Sequence, residues 1–143
     1  MDRKDWLLLV IAAAEGDLLS PVQLQKSMFL LGEEQKSAVG KGFYNFIPYA
    51  YGPFCVDLYH DAEDLERQGL VSIHLNLSGR WREYRATPAG VERAREIGEC
   101  TNKQVVDYVS RTVNWIKGMS FHQLVKEIYD KYPAYRKHSV FQD

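Results

Sequence analysis

The sequence contains little cysteine, no long apolar run and no excess of either charge. Only two cysteines, Cys55 and Cys100, occur among its 143 residues. That number is too small for a scaffold of several disulfides or for a cysteine-rich zinc site, and it indicates reduced thiols in a cytoplasmic protein. The formal net charge of −1 excludes a chain-wide attraction to nucleic acid, so any such contact has to come from a local basic patch.

The longest apolar run covers residues 6–14 and is too short to span a membrane. It has nine residues, whereas a spanning helix needs about 20. The five residues before it carry no net positive charge, which argues against a signal peptide. We therefore expect a buried first helix that begins at Asp2 or Asp5 and ends near Gly16.

The residue types that enzymes combine are scattered along the chain. There is no phosphate-binding glycine loop and no nucleophile elbow, and the histidines lack metal-ligand spacing. The nearest approach to acid–base chemistry is Tyr59-His60-Asp61, but adjacent residues on a helix point to different faces. The sequence predicts a protein that is not an enzyme and that uses neither a metal nor a cofactor.

Helix caps and turns divide the first two thirds of the chain. Ser20, Pro21 and Gln23 predict the start of a second helix with a capping box, and Gly32 predicts its end. Residues 33–42 are polar and are expected to form a loop, and residues 43–51 an extended segment. Residues 53–68 are expected to form a third helix, closed by Gly69.

The remaining chain predicts a hairpin and three more helices. Residues 70–75 and 81–86 have the pattern of two strands joined by a turn. Thr87 predicts the cap of a fourth helix. Capping boxes at Thr101 and Ser120 begin the last two helices, and an apolar stripe from Phe121 to Tyr132 ends before Pro133.

This order of elements predicts an α+β fold, mainly α. It is typical of a winged helix-turn-helix with an elaborated turn, a β-hairpin wing and extra C-terminal helices. Residues 1–100 would form the winged-helix core of a single domain. Residues 101–143 would form a helical extension that packs on the core or forms a dimer interface, and we expect a homodimer.

Two sets of motifs resemble known proteins. Leu65-x-x-x-Gly69-Leu70-Val71, followed by Tyr84-x-x-Thr87-x-x-Gly90, is similar to the third helix, wing and next helix of many winged-helix regulators. Three further motifs resemble the YwgA-like family and, more distantly, the antitoxin-associated Panacea domain. They are Leu24-Gln25-Lys26, Tyr51-Gly52-Pro53-Phe54 with the acidic helix after it, and Tyr129-x-Lys131-Tyr132-Pro133.

The resemblance extends from about residue 18 to residue 135. It implies a small winged-helix-like protein linked to toxin–antitoxin or phage-defence functions, and it supplies no catalytic residue. Within it, Gly52, Pro53 and Gly69 are structural positions of the motifs.

The predicted third helix is too acidic to read DNA. Residues 54–68 contain five carboxylates against one arginine, a net charge of −4, which phosphates would repel. About 20 residues also separate it from the second helix, where DNA-reading modules use about 3–4. We interpret Asp57, Asp61 and Asp64, with Tyr59 and His60, as a candidate docking surface for a basic protein partner. A solvated helix face is the structural alternative.

The predicted wing is basic and supports an alternative function. Arg80, Arg82 and Arg85 cluster around Trp81, and such a hairpin could contact a phosphate backbone or a minor groove. Residues 101–143, with seven basic against four acidic residues, add a net charge of +3. The main prediction is thus a binding module for a protein partner, and the alternative is a DNA-binding transcriptional regulator. The structural interpretation of the wing places Trp81 on the core and pairs its arginines with Glu92 or Glu96.

Overall fold

Helices account for most of the computed structural model, which describes residues 1–142, and two short β-hairpins complete it. The helices are α1 (Arg3–Ala12), α2 (Pro21–Glu34), α3 (Lys36–Val39), α4 (Asp57–Arg67), α5 (Pro88–Glu99), α6 (Lys103–Lys117) and α7 (Phe121–Lys131), and a 3-10 turn covers Pro133–Arg136. The strands are β1 (Ile47–Tyr49), β2 (Gly52–Phe54), β3 (Val71–Leu75) and β4 (Arg82–Ala86). β1 pairs with β2 and β3 with β4, both antiparallel. The predicted α+β class, mainly α, is confirmed.

Helix α1 lies in the middle of the core. A reciprocal capping box starts it, in which Asp5 N–H donates to the Asp2 carboxylate at 3.0 Å and Asp2 N–H to the Asp5 carboxylate at 3.2 Å. Every side chain from Trp6 to Ile11 is buried, so the helix is covered on all sides. The apolar run is thus a buried helix, as predicted, although the helix ends at Ala12.

Helix α2 begins as predicted but does not end at Gly32. The Ser20 hydroxyl accepts from Gln23 N–H at 3.3 Å, and the helix continues to Glu34. A Cβ atom on Gly32 would lie 2.8 Å from the ring of Phe43. The glycine therefore allows the close approach of an aromatic ring, and the prediction of a helix end was wrong.

The third helix starts later than predicted. Residues 52–54 form β2, in which Pro53 lies opposite Pro48 of β1, and α4 begins only at Asp57. Phe54 therefore belongs to a strand and not to the apolar stripe of α4. The long connection between α2 and α4 contains this hairpin and the short helix α3, which occupies part of the predicted loop.

The β3–β4 hairpin forms as predicted, with Val71 opposite Ala86 and Leu75 opposite Arg82. Before it, Gly69 has a φ of 78° and supplies the predicted left-handed helix end. Thr87 caps α5 by accepting from Gly90 N–H at 3.0 Å. A Cβ atom on Gly90 would lie only 1.9 Å from the Leu70 carbonyl oxygen, which explains the glycine in this motif.

The C-terminal helices pack on the rest of the chain. Leu124 and Ile128 of α7 are buried in a cluster with Phe29 and Leu30 of α2, so the apolar stripe of α7 belongs to the core of this chain. Phe121, at the start of the stripe, is 47% exposed, whereas its other members are buried or partly buried, and the predicted homodimer stays a prediction. Capping at Ser120 is confirmed.

Helix α6 is capped differently from the prediction. The Asn102 side chain accepts from Gln104 N–H at 2.8 Å, so Asn102 is the N-cap. The predicted cap, Thr101, instead donates its hydroxyl to the Ile97 carbonyl at 2.7 Å. Across residues 1–142, no helix has the length and apolar character that crossing a membrane requires.

Candidate functional site

An open groove of about 650 Å³ lies where the N-termini of α2 and α7, the β1–β2 hairpin, α4 and the β3–β4 hairpin meet. We call it the aromatic groove because six rings line it: Tyr49, Tyr51, Phe54, Tyr59, Trp81 and Phe121. Four of them, Tyr49, Tyr51, Trp81 and Phe121, are 43–55% exposed. A concave group of exposed aromatic side chains is typical of a surface that binds a ligand or a partner.

The rings of the groove hold one another in place. Tyr49 stacks on Phe54 with ring centroids 4.9 Å apart, and Phe54 contacts Tyr59 at 5.9 Å. The rings of Tyr51 and Phe121 contact each other edge to face, with their centroids 5.1 Å apart. These contacts fix the walls before anything binds, which limits the ordering entropy that a ligand has to overcome.

The C-terminal segment braces one wall. Val140 N–H donates to the Ala50 carbonyl, in the turn between β1 and β2, at 2.9 Å. Phe141 packs near Phe121 and His122, with centroid distances of 6.5 and 5.0 Å. The turn that carries Tyr51 is therefore supported by backbone and side-chain contacts from the other end of the chain.

Gln25 of α2 fixes the backbone of Cys55, the residue that directly follows β2. Its amide nitrogen donates to the Cys55 carbonyl at 2.9 Å, and its amide oxygen accepts from Cys55 N–H at 2.9 Å. The side chain thereby replaces the backbone partner that a neighbouring strand would supply. This pairing keeps the chain extended up to Cys55, which is why α4 cannot begin at Pro53.

Lys26 lies beside Gln25 and is buried at the floor of the groove. It is 3% exposed, and its Nζ donates to the Pro53 carbonyl at 3.1 Å. Within residues 1–142 its other two protons have no acceptor. Because burial disfavours the charged form, the pKa of Lys26 falls from 10.5 to about 7.

The motifs Leu24-Gln25-Lys26 and Tyr51-Gly52-Pro53-Phe54 therefore meet in space. Sequence reasoning named Gly52 and Pro53 as structural positions but missed Gln25 and Lys26 as site residues. The sequence shows two long polar side chains directly after Leu24, but that residues 24–31 are all buried is visible only in the structure.

Neither a family model, nor a curated protein sequence, nor a solved structure matches the chain.

The acidic face of α4 is directed at α1. Arg3 binds Asp61 at 2.9 Å and Asp57 at 3.5 Å, and Lys4 binds Asp64 at 3.0 Å. Asp61 is only 5% exposed. The expectation that all three carboxylates lie on an open docking surface is therefore wrong for Asp61, since α1 covers and neutralises it.

Asp61 is the centre of a buried polar cluster. It accepts from the Tyr44 hydroxyl at 2.6 Å, and the Arg3 guanidinium lies 4.6 Å above the Tyr44 ring. Burial, followed by the hydrogen bond to Asp61, raises the pKa of Tyr44 well above its ordinary value. This cluster ties α1, α4 and the segment before β1 together.

The remaining predicted site residues divide between the groove and the solvent. Tyr59 and Trp81, which the sequence assigned to two different sites, both line the aromatic groove. Tyr59 also stacks on Tyr84 at 6.2 Å, and burial raises its pKa. His60 is exposed and does not line the groove.

The wing differs from its structural interpretation. Trp81 is 43% exposed, does not pack on the core, and donates its indole N–H to Glu83 at 3.3 Å. Arg80, Arg82 and Arg85 are exposed, and none forms an ion pair with another residue in the range 1–142. The expected partners Glu92 and Glu96 pair with arginines of their own helix.

Proposed function

We propose that this chain is a non-enzymatic, winged-helix-like binding module that takes a segment of a partner protein into the aromatic groove. The observation that carries the proposal is the convergence of four half-exposed aromatic rings on one groove. Tyrosine and tryptophan are enriched at protein interfaces, and isolated monomers rarely leave such rings together in a concavity.

The winged-helix description has support in the backbone. Helix α4 is followed by the β3–β4 hairpin, and Leu19, just before α2, forms an antiparallel bridge with Tyr84 of β4. The two backbone hydrogen bonds of this bridge measure 2.9 and 3.0 Å. A winged helix would contain a short third strand beside its wing, ahead of the second helix, and the bridge at Leu19 has this position. The antitoxin-like or defence role stays an expectation from the YwgA-like resemblance.

The pairing of the acidic helix favours the groove over that helix as the proposed partner surface. The three aspartates Asp57, Asp61 and Asp64 of α4 already have cationic partners on α1, so a basic partner that binds them would have to displace Arg3 or Lys4. Within residues 1–142, no charged side chain is paired across the groove, so a partner segment would displace none. Covering the exposed parts of its four rings would remove roughly 400 Å² of surface from water, a gross gain of about 10 kcal/mol.

Site-specific cross-linking tests the proposal. A photoreactive phenylalanine analogue placed at Tyr51 in the native host should cross-link a partner, whereas the same group at Val91, which is 49% exposed on α5, should not. The captured protein is then purified and its dissociation constant measured with wild type and with the double variant Tyr51→Ser, Phe121→Ser. We expect the double variant to bind at least about 30-fold more weakly.

Equal binding of wild type and the double variant would contradict the proposal. The matched control is Asp57→Asn, which changes the acidic face of α4 and should leave the dissociation constant unchanged. Circular dichroism of each variant checks that the fold is kept.

DNA binding through the wing is a second candidate function. It is favoured by one observation, that Arg80 and Arg82 are exposed and make no ion pair within residues 1–142. If both contact phosphates, the slope of log affinity against log salt should fall in magnitude by about 2 on replacing them with alanine. Fluorescence anisotropy with duplexes from its own upstream region measures this. Affinity that does not depend on salt would exclude the wing as a DNA contact.

A further inference from the structure

We propose that the aromatic groove recognises a single carboxylate next to an apolar side chain on the partner segment, and that the Lys26 ammonium binds it. This inference rests on the proposed function and specifies the chemistry of the segment. It explains why the floor of an otherwise apolar groove holds a buried cation.

Lys26 has unused capacity for an anion. Its ammonium carries three protons, of which one is accepted by Pro53, and within residues 1–142 no carboxylate lines the groove. A buried cation without a counter-ion is unfavourable, whereas a cation that meets an incoming carboxylate regains the interaction that burial removed. The ligand would therefore supply the acceptors that the chain does not.

Two helix ends add to the positive potential. Helices α2 and α7, of 14 and 11 residues, both begin at the groove through Ser20 and Ser120. Each cap satisfies the N–H of the third helical residue. Ahead of it, α7 has the N–H groups of Phe121 and His122 without a partner within the helix, whereas α2 has only that of Val22, because Pro21 carries no N–H. A helix N-terminus carries about half a positive charge, which favours an anion at this end of the groove.

The composition of the walls limits the class of anion. Lys26 is the only lysine or arginine among the lining residues within 1–142, and the other large side chains are mainly aromatic or aliphatic. A phosphate or a nucleic acid backbone would need several cations and would leave the rings unused. One carboxylate attached to an aromatic or aliphatic group matches one buried cation and an apolar wall.

A pair of small probes tests this chemistry without knowledge of the partner. Calorimetry compares 3-phenylpropionate with its neutral isostere 3-phenylpropanamide at pH 6.5 and pH 8.5, using the wild-type chain. At pH 6.5 the acid should bind at least about tenfold more tightly than the amide. Because the pKa of the free ammonium is about 7, its protonated fraction falls about 25-fold from pH 6.5 to pH 8.5, and the preference for the acid should be lost at pH 8.5.

Within residues 1–142, neither a carboxylate nor a histidine lines the groove, so neither accounts for a pH dependence at Lys26. The titratable side chains that face it are Tyr49, Tyr51 and Tyr59, with Tyr129 and Cys55 behind them. Two histidines directly follow lining residues in the sequence: His122 packs on Phe141, and His60 is exposed and does not line the groove.

Two variants separate the cation from the walls. Lys26→Met should bind acid and amide equally, and Tyr51→Ser should weaken both probes while the acid preference is kept. If Lys26→Met does not fold, the wild-type comparison at the two pH values decides the question. Equal affinity for acid and amide at pH 6.5, a preference that does not change with pH, or no binding of either probe would overturn the inference.

The outcome also separates this inference from the proposed function. A partner that cross-links at Tyr51 but binds Lys26→Met as tightly as wild type would overturn the role of Lys26 alone. Acid-selective probe binding in a chain that captures no protein at Tyr51 would overturn the protein partner and leave the carboxylate site. Once the segment is mapped, a peptide with its carboxylate replaced by an amide should lose the same preference.

Discussion

Replacing Lys26 with methionine should remove a pH dependence from the stability of this protein. Burial lowers the pKa of the ammonium from 10.5 to about 7. Between these values the unfolded chain holds a proton that the folded protein has released. Because the state with more bound protons is favoured as the pH falls, the free energy of unfolding decreases from pH 10.5 down to about pH 7, and Lys26 contributes no further change below that.

The size of the effect follows from the two pKa values. Their difference corresponds to about 5 kcal/mol, of which about 2 kcal/mol is gained between pH 7 and pH 9. Methionine keeps an unbranched chain of similar length and carries no charge. It also leaves the Pro53 carbonyl without its donor, at a cost of about 1–3 kcal/mol that does not vary with pH.

Urea unfolding at pH 6, 7, 8 and 9, followed by tryptophan fluorescence, measures the effect in both proteins. Titration of the other groups is common to the two chains and cancels in the difference. The free energy of unfolding of wild type minus that of Lys26→Met should rise by about 2 kcal/mol from pH 7 to pH 9. A difference that stays constant over this range would refute the burial of a cation at this position.

Two further pairs of substitutions, each a test and its control, probe the fold by urea unfolding. Asp61→Asn should lower the free energy of unfolding by about 2–3 kcal/mol, because a buried tyrosine hydroxyl and an arginine lose their shared carboxylate. The half-exposed Asp57→Asn should cost less than about 1 kcal/mol, and equal losses would contradict the assignment. Gly90→Ala should cost about 3 kcal/mol or prevent folding, because its Cβ atom would overlap the Leu70 carbonyl. Gly98→Ala on the same helix meets no such contact and should be tolerated.

Local signals in the sequence predicted much of the fold. The capping boxes at Ser20 and Ser120, the left-handed Gly69 and the β3–β4 hairpin all depend on residues within a few positions of one another. Such interactions form from local chain geometry, so the sequence pattern is sufficient to place them.

The errors came from contacts between distant residues. Glycine is a residue type typical of helix ends, but Gly32 lies inside α2 because the ring of Phe43 packs against it. Proline is a residue type typical of helix starts, but Gln25, about 30 positions earlier, holds the backbone extended at Cys55, just after Pro53. Neither partner could be identified from a local pattern.

The acidic helix shows the same limit for the candidate site. A net charge of −4 over residues 54–68 indicated an open anionic surface, yet Arg3 and Lys4 of α1 take up much of that charge. Lys26 was missed for the converse reason, since a single lysine beside Leu24 on an apolar face looks like a side chain at the edge of the core. Its burial depends on the β1–β2 hairpin that covers it.

The most direct test of the groove as the binding surface is the dissociation constant of the purified cross-linked partner for wild type and for Tyr51→Ser, Phe121→Ser. We expect the double variant, still folded, to bind at least about 30-fold more weakly. If the folded double variant has the same dissociation constant as wild type, the groove is not the binding surface.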